Sequence, residues 1–226
     1  ANAAGADATL AVNGPLNAGT GDISLAAGGN VTLGGSVTAT AGNVIAAAAG
    51  AGSSITLSNE ITAGGNAALT AGGAIMADTG NKVTANTLTV NASAIGASGA
   101  RLNTDVNALN AVSTNGGISI QEADSLTLSA SATGGSIDVA ATGAMTVLSA
   151  TSNNGVNFAS ADMTVNGTGA GGTGDARLAA QNSLLLNSSV TTAGNVDLST
   201  SGDGSSVTLN SQVTGAKVNV TAGSAN

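Results

Sequence analysis

Short triplets reading apolar, polar, apolar recur along almost the whole chain, and that recurrence restricts its fold more than any other feature. Ile118-Ser119-Ile120, Ile137-Asp138-Val139, Val156-Asn157-Phe158, Ala176-Arg177-Leu178 and Val196-Asp197-Leu198 return every 19 or 20 residues. Between them fall Leu126-Thr127-Leu128, Met145-Thr146-Val147 and Met163-Thr164-Val165. Alternation with period two is the mark of a strand with one face buried. Gly, Asn, Ser and Ala separate the triplets and suit corners.

Towards both ends the repeat carries more landmarks. Segments starting at Asn30-Val31-Thr32-Leu33, Ser54-Ile55-Thr56-Leu57, Ser183-Leu184-Leu185-Leu186 and Ser206-Val207-Thr208-Leu209 align with one another. Six residues after the first apolar position comes a β-branched residue followed by Thr: Val37, Ile61, Val190 and Val213. A third apolar position follows at Val44, Ala67, Val196 and Val218. Between Ala74 and Gly116 the landmarks (Leu88, Val90, Leu102, Val106, Leu109) are unevenly spaced. This stretch predicts one or two coils with longer corners and a loop around Gly96-Ala97-Ser98-Gly99.

Strands of three to five residues, about three to each 19–24-residue unit, are too short for a sandwich or barrel. They fit a solenoid in which each strand pairs in parallel with its counterpart one coil away. The expected fold is all-β, a single-stranded parallel β-helix of about ten three-strand coils, with residues 1–226 as one repeat domain. At about 4.8 Å per coil the rod is on the order of 50 Å long. Composition agrees with a thin core. Phe158 is the single aromatic residue, Pro15 the single proline, and Cys, His, Trp and Tyr are absent. Leu, Ile, Val and Phe supply about a fifth of the chain, near the level at which disorder is expected. Charged residues are only 7% and the aliphatics are periodic, which argues for order. Alanine favours helix, but no 3.6-residue period accompanies it.

The phrases Leu25-Ala26-Ala27-Gly28-Gly29-Asn30-Val31-Thr32-Leu33, Leu69-Thr70-Ala71-Gly72-Gly73 and Val190-Thr191-Thr192-Ala193-Gly194-Asn195-Val196-Asp197-Leu198 resemble the repeats of filamentous haemagglutinin-like exoproteins. The resemblance runs from about Ala8 to Gly223 and extends to other large adhesins exported by two-partner secretion. It implies a right-handed parallel β-helix, a secreted or cell-surface location, and adhesion or fibre formation. Nothing here matches that family's amino-terminal secretion domain, so the chain corresponds to shaft.

Charge narrows the partners. The net charge is −8, and Lys82, Arg101, Arg177 and Lys217 are scattered, leaving no basic patch for nucleic acid or an anionic membrane. No apolar run is long enough to span a bilayer. The amino terminus lacks a charged segment followed by an apolar one, so a mature product or an internal fragment is expected.

Catalysis finds little to work with. Glycoside chemistry needs two adjacent carboxylates, and only Glu122 and Asp124 form a near pair, which reads first as two solvated corner acids. No His or Cys exists to act as base or nucleophile. Gly171-Gly172-Thr173-Gly174-Asp175 resembles a calcium-binding nonapeptide, but its acid falls one residue early and Ala176 occupies the required position. No catalytic, cofactor or metal residue is therefore assigned.

Two further features merit testing. Thr32, Thr56, Thr127, Thr146, Thr164 and Thr208 are expected along one outward face, which opens an alternative function in ice binding. Asn30, Asn91, Asn166, Asn187 and Asn219 head Asn-x-Ser/Thr sequons, at a density that chance explains in such a composition. No capping helix is legible at either end, so end-to-end self-association or covalent continuation into a longer β-helix is expected. Contact with a host or surface receptor falls to regions outside this chain. The readings are thus a structural shaft, an ice-binding face, and, last, a polysaccharide-active enzyme.

Overall fold

The computed structural model describes residues 1–223. Among the described residues, twenty-six strands join in one sheet, and each pairs in parallel with strands of neighbouring coils. No helix among the described residues is long and apolar enough to cross a membrane. The chain winds as a β-solenoid of about ten turns.

Local chemistry explains the short strands. In Val31–Leu33, Ile55–Leu57 and Val37–Ala39 the outer two residues point inward and the Thr between them outward. Val31, Leu33, Val37, Ile55 and Ile61 are wholly buried. Each fully buried Val, Leu or Ile stabilises by about 1.5–3 kcal/mol relative to exposure. The interior is thus a set of aliphatic stacks, with Ala39, Ala46 and Ala48 where the cross-section is tight.

Three faces organise the amino-terminal coils. The first stacks Leu10, Val31, Ile55, Ile75 and Ile95. The second stacks Leu16, Val37, Ile61 and Val83. The third stacks Ile23, Val44, Ala67, Leu88, Leu109 and Leu128.

Strand Leu102–Ser113 then changes the plan. Its first residues pair forward with Ile120–Glu122, while Ala108–Ser113 pair with Thr127–Ala132. From there the second face is carried on the end of the first-face strands, as in Ile118–Glu122 and Ile137–Ala141. The third face lengthens through Leu126–Ala132 and Met145–Ser152. It then divides, so that Ala176–Leu186 is followed by a separate Val190–Thr192. One corner straightens and another forms.

The repeat therefore slips in phase, which corrects the alignment of the four end segments. Val31 and Ile55 belong to the column that continues through Ile118, Ile137, Val156, Ala176 and Val196 to Val218. Leu184 and Val207 instead stack on Met163, Met145 and Leu126. Parallel pairing needs register only with the adjacent coil, so like sequences need not occupy like positions. The uneven stretch expected between Ala74 and Gly116 leads into this rearrangement, and Gly96–Ala100 forms a small hairpin. Ala97 and Ala100 exchange N–H to carbonyl hydrogen bonds at 2.9 and 3.0 Å, and Gly96 and Gly99 adopt positive φ.

Corners are stitched by side chains. Asn43 donates its main-chain N–H to Asp22 Oδ1 (2.7 Å), and Asn66 donates to Asn43 Oδ1 (2.8 Å). Asn210 and Asn187 continue a ladder onto Asn166, each Nδ2 donating over 2.9 Å.

Candidate functional site

The two acids singled out as a near pair occupy different environments. Asp124 is exposed at a corner. Glu122 is fully buried, contrary to its reading as a solvated corner acid. The reason lies in the strand Ile118–Glu122, where period two turns residue 122 inward after Ile118 and Ile120. Glu122 stacks under Thr104 at the point where the second face joins the first.

Hydrogen bonds take up both carboxylate oxygens. Thr104 Oγ1 donates to Oε2 at 2.6 Å. The N–H groups of Val106, Ala123 and Asp124 donate to Oε1 at 3.1, 2.9 and 3.4 Å. Burial pushes the Glu122 carboxyl above its ordinary range, and these bonds pull part of the way back. Val106 lies where Leu102–Ser113 parts company with one neighbouring strand and joins another, and the Ala123 N–H is shared with the Thr104 carbonyl at 2.9 Å.

Asp105 completes a group of three acids, with carboxylate oxygens of Asp105, Glu122 and Asp124 within 4.8 Å of one another. Lys82 Nζ lies 2.7 Å from Asp105 Oδ2. That contact holds the Lys82 ammonium above its ordinary range. The cluster is best described as a clamp on the junction: Lys82 compensates Asp105, and Glu122 is consumed by the backbone. Sequence pattern contained the signal, because Ile118-x-Ile120-x-Glu122 extends the inward alternation by one step.

Other predicted features distribute as follows. Asp175 sits at a corner, where Asn195 donates its N–H to Oδ1 at 2.8 Å. The expected Thr column divides between faces: Thr32 pairs with Thr56, which is followed by Met76. Thr127, Thr146 and Thr164 form a separate run, interrupted by Leu185 before Thr208. The split follows from the phase slip. Of the sequon asparagines, Asn166 and Asn187 spend their side chains in the corner ladder.

The last coil differs from those beneath it. Leu209, Val218 and Val220 are 43%, 42% and 50% exposed, whereas Leu186, Val196 and Leu198, their counterparts one coil earlier, are buried. No family model, curated protein or solved structure matches the chain.

Proposed function

We propose that this chain is the shaft of an exported bacterial surface fibre, and that its work is mechanical: length, rigidity and display. The observation that carries this reading is the unbroken ladder, in which one column steps from Leu10 to Val218 through every coil. A rod tied along its length by main-chain hydrogen bonds needs no bulky side chains to stay straight. Its outer wall is small and polar, with few charges.

The open last coil supports the same reading. Exposed Leu209, Val218 and Val220 suit cover by a further coil, from the same polypeptide or from a second copy stacked end to end. The location that follows is secreted or cell-surface, and receptor contact falls to other regions. No catalytic role is assigned. The alternative, an ice-binding face, has only short threonine runs to rest on.

Immunogold electron microscopy of intact producing cells, with antibodies raised against this chain, tests the proposal. Gold along filaments outside the cell is the expected result, and gold confined to the cell interior would overturn it.

A further inference from the structure

Apart from the junction clamp, one group in the wall stands out. Ser119 Oγ is buried and has no hydrogen-bond partner, the single side chain in that state among the described residues. Its strand position faces outward, between inward Ile118 and Ile120. Outward serines elsewhere meet water; this one is only 6% exposed. The cause is the Gly96–Ala100 hairpin, which leans over the first face. A Cβ on Gly96 would strike the Ser119 carbonyl, so the close approach requires glycine, as does its φ of +60°.

Beneath the hairpin lies an open cleft of about 320 Å³, lined by Ala97, Ser98, Ser119, Ser136, Asp138 and Asn157 among others. That is the lower end of the range for small-molecule sites. A buried polar group without a partner costs free energy and calls for an explanation. A ligand that hydrogen-bonds to it in the cleft supplies one.

The chemistry of the walls selects the ligand class. Asp138 is already neutralised: Arg101 Nη2 donates to Oδ2 at 2.7 Å and Asn157 Nδ2 to Oδ1 at 2.8 Å. No uncompensated charge is left for an ion. What remains is a set of serine hydroxyls, each able to donate and accept. We infer that this cleft binds a neutral polyhydroxylated ligand of monosaccharide size, with Ser119 Oγ hydrogen-bonded to one of its hydroxyls. The inference goes beyond the shaft reading, and neither depends on the other.

Amide chemical-shift titration of the isotope-labelled chain tests it. Glucose, galactose, mannose and N-acetylglucosamine are the neutral probes; sodium phosphate and calcium chloride are the charged ones. At least one sugar is expected to shift the amides of Ala97, Ser98, Ser119 and Asn157 saturably, with the ions leaving them in place. Ser119→Ala should weaken that sugar about five- to tenfold, the worth of one hydrogen bond. Its melting temperature should equal or exceed the parent's, because the orphan hydroxyl is gone. Ser98→Trp, on the exposed hairpin, should block the mouth and abolish the shifts. The inference is overturned if no sugar shifts these amides, if only the ions do, or if both variants bind like the parent.

Discussion

Both oxygens of Glu122 accept hydrogen bonds, so alanine at this position takes the carboxylate acceptor from the Val106 N–H and the Thr104 hydroxyl. Glu122→Ala is expected to destabilise by on the order of 3 kcal/mol in denaturant titration. Glu122→Gln keeps an acceptor for the N–H groups, offers its own amide to Thr104 and removes a buried charge. The pH dependence has a definite sign. Burial raises the Glu122 carboxyl, so the folded chain holds that proton more tightly than the unfolded chain. The stability this adds is present below the ordinary carboxyl range and is lost as pH climbs through the raised value. Glu122→Gln should therefore gain on the parent as pH climbs above the ordinary carboxyl range, read as a difference in melting temperature. Asp162 has the opposite sign, since donation from Ser183 and Asn182 holds it below its ordinary range. Its contribution is present above that range and fades on acidification. Gly167 makes a steric prediction: a Cβ there would collide with the Leu148 carbonyl. Gly167→Ala should cost about 1–3 kcal/mol.

At the scale of a coil, stacking with the next coil is the only requirement. Ile118, Ile137 and Val156 lie in one column, as do Leu126, Met145 and Met163. Excising residues 137–155 should therefore leave a folded rod shorter by about 4.8 Å, measurable by small-angle scattering. Excising residues 102–120 removes the strand that hands one face to another, and should lower the melting temperature far more. These two regions also differ in how well the chain announces them. Triplets such as Leu126-Thr127-Leu128 are legible because burial alternates within three residues. The handover is not, because nothing local in Leu102–Ser113 says that its two halves will pair with different strands. The same limit misplaced Thr127 and Thr32 on one face. Ser119 was illegible for another reason: its burial comes from a hairpin twenty residues earlier in the chain, leaning over its strand.

Over the whole molecule, if the proposed shaft is completed by a second copy stacked end to end, the apolar last coil is its contact. Val220→Lys places a charge at the most exposed apolar position of that coil. It should reduce concentration-dependent growth in sedimentation velocity while leaving the circular dichroism spectrum unchanged. Growth that persists unaltered in the variant would place the contact elsewhere.

The ladder from Leu10 to Val218 has hydrogen bonds that point from coil to coil. Tension applied between the two ends therefore loads them one rung at a time, as in opening a zip. Each rung that lets go releases a coil of some twenty residues, a gain on the order of 70 Å when fully extended. If the chain serves as the proposed shaft, it stays stiff until the first rung opens and then lengthens in small steps, absorbing a tug that an all-or-none link would transmit.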